Sequence, residues 1–596
     1  MQVSPNGPSS QGGNGLLGRG PELAAWLATR STFADTVPQD ALPLQRCYRW
    51  ELERANRVFL TQPRGGDVRE WTWSEAMEEV RRMAAYLIAQ NWPTGSRIVI
   101  ISRNCAWWMM AELAVWMAGH VSVPIYPSLS ARSVRALVDH CEPVACFVGG
   151  LDDANVIEEA IPESVHCIRF PNAAPCKGRQ WNEIALATPP LATSPVRAAD
   201  DLATIIYTSG TTGTPKGVMH RFAAFTYFVA AVTRVFGESS EERMLSYLPL
   251  AHIAERALVE STSFYSGLQV YFVDSVETFR ADLQRARPTI FFSVPRLFIK
   301  FQQAVLARIP QSRLDRMLHT PVLNRFVRAR ILKQLGLSSV RMAASGGAPL
   351  PLGTLQWFRS IGLNLVEGYG MTETGITHTP PQGRSRPGYV GDGVPRVETK
   401  IDSNGEILVR SPMNMMGYYK DPEGTRNAFT DDGFFRTGDL GELDAEGWLK
   451  IIGRAKEQFK TSKGKYVSPA TIEKLLCTDP RIESCCVAGA GLPKAFAIVL
   501  LSQDVRNAIV DSPQAKTECD EALRRLLDRV NQQLEAHERL SCLVVTNEPW
   551  TVSNGFLTPT MKLKRSALEQ VYTKYFEEWC REGKAVVWHS SRATTG

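Results

Sequence analysis

The chain has 596 residues, 44% apolar and 21% charged, with a net charge of +6. That length exceeds one compact core and implies roughly two to four domains of an ordinary globular protein. The mild positive charge suits acidic small molecules or an anionic membrane surface and excludes the basic footprint of a nucleic-acid protein.

The opening residues 1–20, MQVSPNGPSSQGGNGLLGRG, are rich in Gly, Ser, Pro and Asn. They read as a disordered tail without the basic start and apolar core of a secretory signal. No run of about eighteen apolar residues follows anywhere, so no transmembrane helix is expected. From Trp73 to Gly150 the pattern alternates. SEAMEEVRRMAAYLIAQ has helical spacing with Ser74 placed to cap it, RIVIIS reads as a strand, and CAWWMMAELAVWMAGH as a mostly apolar helix. VSVPIY, RSVRALVDHCE and ACFVGG continue the alternation, which predicts a mostly parallel sheet covered by helices.

The apolar run DLATII then leads into YTSGTTGTPKGV (207–218), with three glycines, four threonines, a serine and a lysine. Bare amides, hydroxyls and one cation at the carboxyl end of a strand suit a polyphosphate. A Walker A loop needs Gly, four residues, then Gly-Lys-Ser/Thr, and five places after Gly210 stands Pro215. Strands are expected at LQVYFVD and TIFFSV, and a β-rich region from about Tyr389 to Ile452. After Gly453 the chain turns polar and lysine-rich. An α+β pattern follows: a helix near IEKLL, strands near ESCCVAG and AFAIVLL, and a long helix over EALRRLLDRVNQQLEAHERL. The twelve cysteines form no CxxC pair, and Cys485 and Cys486 are adjacent. Reduced thiols serving as small apolar residues in a cytoplasmic setting are expected.

Five motifs, YTSGTTGTPKGV, SGGAPL (345–350), GYGMTET (368–374), FFRTGDLGELDAEGWLKIIGR (434–454) and LTPTMK (557–562), stand in one order. Together they resemble the adenylate-forming superfamily over residues 40 to 580. YLPLAHIAER, TIFFSVPRLF and GRAKEQFKTSKGKYVSPATIE are similar to its long-chain fatty acyl-CoA synthetase branch. The fold so implied is α/β: a large N-terminal domain of helix-covered, mostly parallel sheets with a β-rich subdomain, then a small mobile α+β domain. The expected divisions are a tail over 1–20, the large domain over 21–453, a hinge over 454–460 and the small domain over 461–596.

The resemblance implies activation of a fatty acid by ATP to acyl-AMP, with Mg²⁺, and then transfer to CoA. A carboxylate acylates poorly because its leaving group would be oxide, whereas an acyl-adenylate releases AMP. Thr208, Ser209, Gly210, Thr211, Thr212 and Gly213, with Lys216, would cradle the β- and γ-phosphates. Gly346, Gly347 and Ala348 would let a base approach the backbone beside Gly368, and Tyr369 would offer a flat surface to adenine. Thr372 would donate to the α-phosphate and Glu373 would ligate Mg²⁺. Asp439 would accept the ribose hydroxyls with Arg454 helping, and Lys562 would bridge the attacking carboxylate and the α-phosphate. His252 would lie near the acyl carboxylate, Lys456 would be the hinge, and Lys460 and Gly464 would face the second reaction.

RFAAFTYFVAAVTRVFG would wall an acyl pocket, and RLDRMLHTPVLNRFVRARILKQLG offers a peripheral contact with the inner face of a membrane. Three rival functions stand beside the ligase. One is a fatty acyl-AMP ligase loading an acyl carrier protein, although the only Asp-Ser candidate for a carrier core, FVDSV (272–276), lies inside the synthetase body. Another is a ligase for aryl or specialised carboxylates. The third is a nucleotide-binding regulator without catalysis, against which the joint retention of Lys216, Glu373, Asp439, Arg454 and Lys562 argues.

Overall fold

A computed structural model of the chain describes residues 37–589 apart from 154, 209–214, 238–240, 553 and 559–561. Residues 1–20 and Ser209, Gly210, Thr211, Thr212 and Gly213 of the glycine-threonine loop therefore lie outside the described residues. The fold is α/β.

Its first sheet has eight strands in the order Gly417–Tyr418, Lys216–Arg221, Leu202–Thr208, Val121–Ile125, Arg97–Ile101, Ala145–Val148, His166–Arg169 and Arg179–Gln180. The pairing is parallel except at Lys216–Arg221, which runs antiparallel to both neighbours. In Arg97–Ile101 the side chains alternate between two cores: Ile98 and Ile100 join one, Val99 and Ile101 the other. Both faces are covered, as a parallel sheet requires. The helix Ala106–Met117 is buried on every residue, because it lies in a layer sandwiched between this sheet and a second one.

The second sheet orders Asp67–Thr72, Val58–Arg64, Gln269–Phe272 and Arg243–Ser246. The Thr289 amide donates to the Arg243 carbonyl at 3.0 Å. That bond carries the sheet on to Ile290–Ser293, Met342–Ser345 and Leu365–Glu367. Its far face packs on Pro295–Leu306 and Leu352–Ser360 through Phe298, Leu355 and Phe358.

Smaller antiparallel sheets form the β-rich part, including Glu406–Arg410, Phe435–Leu443 and Leu449–Arg454. Beyond Arg454 a 3₁₀ turn, Ala455–Glu457, leads to the small α+β domain. There the strands Ile482–Ala488, Ala495–Leu501, Leu540–Thr546 and Val586–His589 form one sheet. Helices Pro469–Leu476 and Pro513–Gln532 cover one face, and Arg565–Tyr572 and Phe576–Arg581 the other.

Two local expectations are corrected. The helix Trp73–Ala89 is capped by Thr72, not Ser74. Thr72 and Glu75 form a reciprocal capping box, which satisfies two amides where a serine inside the first turn satisfies none. The long helix of the small domain stops at Gln532 and does not reach Leu540. Asn531 closes the turn by accepting the Leu540 amide at 2.8 Å, which frees Leu540 to open a strand. The described cysteines are free thiols, and those of Cys477 and Cys485 lie 3.5 Å apart.

Candidate active site

One cleft of about 2560 Å³ runs between the two domains. It exceeds the roughly 300–1,000 Å³ of a single drug-sized site and has room for several substrates. Of the described residues read from sequence as site residues, all but two line it.

The floor is the hairpin of Leu202–Thr208 and Lys216–Arg221, in which Thr208 pairs directly with Lys216. A tight antiparallel register fixes Lys216 at the root of the loop. Its ammonium lies 4.4 Å from the centre of the Tyr418 ring. Tyr418 in turn donates its hydroxyl to Glu373 Oε1 at 3.1 Å.

GYGMTET is a strand, a turn and a second strand, Tyr369–Met371 and Gly375–Thr379, with Thr372 and Glu373 at the turn. Gly375 has φ +66°, and a Cβ there would fall 2.2 Å from the Phe228 ring, so only glycine closes this turn. Burial raises the pKa of the Glu373 carboxyl, while the Tyr418 hydroxyl, Arg454 and Lys216 pull it back. A half-buried carboxylate whose charge is disfavoured gains from a nearby divalent cation, so Glu373 fits Mg²⁺ as one oxygen ligand, with substrate phosphates and water supplying the rest. Among the described residues no cluster of three or more His, Cys, Asp or Glu could hold a metal by itself.

Tyr369 donates its hydroxyl to Asp439 Oδ2 at 2.7 Å, and Arg454 Nε lies 3.1 Å from Asp439 Oδ1. Asp439 and Arg454 are directly opposite residues of adjacent strands. Burial raises the Asp439 pKa, with Arg454 and the Tyr369 hydroxyl opposing. The carboxylate is thus aimed and partly compensated.

SGGAPL forms the opposite wall. The Gly368 amide bonds the Ser345 carbonyl at 3.0 Å, which sets Gly346 against Gly368. Gly347 has φ +78°, and a Cβ on it would lie 4.0 Å from the Lys562 side chain. Ala348 lines the cleft beside them.

Lys562 reaches this point from the small domain, where Thr558 accepts its amide at 3.0 Å and donates its own amide to the Lys562 carbonyl at 2.8 Å. Water reaches its side chain through the cleft although protein surrounds it. Desolvation and then Arg454 lower its pKa from the ordinary lysine value, while Asp439 and Glu373 raise it. His252 borders the same space. Burial and the Lys562 charge push its pKa down to about 3, so the ring is neutral. Its Nδ1 accepts the Ala254 amide at 3.1 Å, which leaves the proton on Nε2.

Lys456, exposed in the 3₁₀ turn, lies at the cleft edge. Lys460 and Gly464 are the two exceptions: they are exposed on the hairpin of Phe459–Lys460 and Tyr466–Val467, outside the cleft. The domains are also tied by Arg296 to Glu483 and by Gln303 Nε2, which donates to the Pro480 carbonyl at 3.1 Å.

Two features were not read from the sequence. His220 is fully buried on the hairpin, its pKa pushed down to about 4 by burial, and its Nε2 donates to the Thr372 carbonyl at 2.7 Å. It ties this hairpin to the GYGMTET turn. Arg256 is fully buried between Glu112 and Glu260 and donates to Thr204 Oγ1 at 2.7 Å. It links the strand under the loop to the segment after His252, which makes a π-turn over Arg256–Glu260. Glu112 is the sole acidic residue of an otherwise apolar helix, and that was the readable signal for a buried ion cluster.

The carboxylate, cationic and glycine groups around this cleft define a nucleotide-binding enzyme of the acid-activating kind. Residues 48–419 match the AMP-binding enzyme family and residues 456–582 match the AMP-binding enzyme C-terminal domain. The chain belongs to the AMP-binding enzyme family. It is 30% identical to long-chain-fatty-acid–CoA ligase FadD15 of Mycobacterium bovis, over 85% of this chain and 91% of that protein. It is 28% identical to the peroxisomal long chain acyl-CoA synthetase 6 of Arabidopsis thaliana, over 87% and 82%. Among solved structures it is similar to the A domain of carboxylic acid reductase from Segniliparus rugosus, in complex with AMP and a co-purified carboxylic acid. The TM-score is 0.76 at 22% identity, covering 94% of this chain and 98% of that one.

Proposed function

We propose that this protein is a long-chain fatty acid–CoA ligase working in two half-reactions at one cleft. A fatty acid oxygen attacks the α-phosphorus of ATP and pyrophosphate leaves. The CoA thiolate then attacks the acyl carbonyl and AMP leaves. The observation that carries the reading is the convergence of Lys562 with Gly347, Asp439, Arg454 and Glu373. An ammonium at that point meets the attacking carboxylate and the α-phosphate together.

Thr208 and Lys216, with Ser209, Gly210, Thr211, Thr212 and Gly213, hold the β- and γ-phosphates. Tyr369 lies against adenine, with Gly346, Ala348 and Gly368 giving it close access, and Thr372 donates to the α-phosphate. Asp439 and Arg454 hold the ribose. Glu373 would hold Mg²⁺, which would supply neutralisation of phosphate charge. Val232, Val235 and Phe236 of the helix Phe222–Phe236, with Ile299, give the cleft an apolar wall for an acyl chain. His252, neutral with its proton on Nε2, can donate to the acyl carboxylate.

Adenylation needs Lys562 in the cleft and thioester formation needs that space for a thiol. We therefore assign the hinge to residues 454–460 with Lys456 at its centre, between a large domain over 21–453 and a small one over 461–596. Lys460 and Gly464 would come to the cleft in the second arrangement. The Asp274–Ser275 pair is bound into a turn of the large domain by Thr278 and Asp282, which argues against an internal carrier core.

The test measures AMP release with a panel of acids, with and without CoA. Strong stimulation by CoA with long saturated acids is expected. Equal rates without CoA would favour loading of a carrier protein, and a preference for aryl acids would favour the specialised ligase.

A further inference from the structure

We propose that Cys477 and Cys485 are a modification site: oxidised by a hydroperoxide, they form a reversible disulfide that undocks the small domain from the large one. Three observations carry it.

The first is proximity. Cys477 closes the C-terminal end of the helix Pro469–Leu476, and Cys485 lies in the strand Ile482–Ala488, on which that helix packs. Their sulfurs are 3.5 Å apart. A disulfide needs about 2 Å, so the gap to close is about 1.5 Å. Alternation along the strand selects the partner. Cys485 faces this helix, whereas Cys486 faces the opposite side, where its sulfur accepts from Arg565 Nη1 at 3.1 Å.

The second is access. Cys176 and Cys477 are the two described cysteines that are not buried. Cys477 and Cys485 both line the cleft, so a small oxidant entering there meets them. Contact with Cys477 and burial both keep the proton on Cys485, which leaves Cys477 as the sulfur that reacts first. With hydrogen peroxide, the Cys477 thiolate attacks one oxygen and the O–O bond breaks. The other oxygen leaves as water, taking up the thiol proton, and a sulfenic acid remains. Cys485 then attacks the Cys477 sulfur: the S–S bond forms, the S–O bond breaks, and a second water leaves with the Cys485 proton. Two thiols give up two electrons and the peroxide takes them. A dithiol reductant reverses the step by exchange.

The third is what the pair brackets. Pro480 and Glu483 lie between the two cysteines, and they receive Gln303 and Arg296 of the large domain's helix Pro295–Leu306. Cys485 is fixed by its sheet, paired opposite Val499. The helix end and the turn after it therefore make the movement. A displacement of that order takes the 3.1 Å bond from Gln303 to the Pro480 carbonyl out of hydrogen-bonding range. The same helix end holds Glu473, whose carboxylate accepts from Arg565 at 2.7 Å, three residues past Lys562. Oxidation thus acts on the interdomain ties and on the base of the Lys562 loop. Its effect on catalysis, unlike the bond and the undocking, rests on the ligase reading.

The experiment treats the full chain with hydrogen peroxide, blocks free thiols with iodoacetamide and maps tryptic peptides. LLCTDPR (475–481) is expected joined to IESCCVAGAGLPK (482–494), and dithiothreitol should separate them. Cys477→Ser and Cys485→Ala should lack the joined peptide, and Cys486→Ala should keep it. Docking is read without substrate. Brief trypsin treatment of the native chain should cut after the exposed Lys456 or Lys460 roughly fivefold faster once it is oxidised, as loss of partly buried ion-pair ties implies. Pyrophosphate exchange with a long-chain acid should fall by a similar factor in the parent, recover with dithiothreitol, and hold steady in Cys477→Ser and Cys485→Ala. Absence of the joined peptide, bonding through Cys486, an unchanged cutting rate in the joined protein, or equal loss of exchange by those two variants would each overturn the proposal. A reduced parent without exchange activity would instead overturn the ligase reading, and the joined peptide and the cutting rate would still decide this one.

Discussion

In the function proposed above, Lys562 would contribute by position and charge together. Its side chain lies near Gly347, with Arg454, Asp439 and Glu373 acting on its charge, and on the proposed reading the ammonium would meet two developing anions during attack on the α-phosphate. Lys562→Ala should lower acyl-adenylate formation by about 10²–10³-fold. Conversion of supplied acyl-AMP with CoA should change only a few-fold, and equal loss of both half-reactions, followed by AMP release, would remove the lysine from this role. Glu255 shows a different use of burial. It accepts the Tyr247 amide at 3.0 Å, and desolvation pushes its pKa up from 4.5 to about 8. The folded chain therefore keeps a proton that the unfolded chain has lost between those values, so stability falls as pH rises from 4.5 through about 8. Glu255→Gln keeps an oxygen for Tyr247 and cannot ionise. It should flatten that fall and exceed the parent above pH 8 by on the order of 2 kcal/mol, and parallel urea-unfolding curves for the two proteins across this range would contradict it.

At the scale of elements, the hairpin and the 3₁₀ turn have opposite tasks. Strand pairing from Leu202↔Arg221 to Thr208↔Lys216 fixes the root of the glycine-threonine loop. Ala455–Glu457 has no buried residue, as the proposed hinge requires. Lys456→Pro fixes φ and removes a backbone donor. Pyrophosphate exchange should survive within about tenfold, while acyl-CoA formation from isolated acyl-AMP falls much further. Parallel decline of the two rates would place the hinge elsewhere. Elements with a strong period were readable from sequence: Arg97–Ile101, Val121–Ile125 and Ala131–Cys141 lie where the alternation put them. Boundaries were less so. The Thr72–Glu75 box was present in the sequence but competes with Ser74, and the end of Pro513–Gln532 depends on the Asn531 side chain reaching Leu540.

At the scale of the whole molecule, the small domain stands with Lys562 inside the cleft, held there by Arg296 to Glu483 and Gln303 to Pro480. Ser468 and Thr471 also donate to the Ile452 carbonyl at 3.4 Å, and polar ties of this kind suit an interface across which domains move relative to one another. On the proposed reading this arrangement serves the first half-reaction, and a second one would bring Lys460 and Gly464, which lie outside the cleft here, to it.

The sequence by itself determined the class of fold, the order of the motifs and a set of polar, charged and glycine residues that line the cleft. Each motif is a local statement: glycine where a turn needs left-handed φ, apolar alternation where a strand has two buried faces, a lysine at the end of a short loop. Tertiary structure alone decided what those residues meet. Tyr369 and Asp439 are 70 positions apart and share a hydrogen bond. His220 and Thr372 are 152 apart, and Arg256 and Glu112 144 apart. No local pattern encodes such pairs, because the low dielectric and exclusion of water that make them necessary exist only after the sheets and their helices have packed.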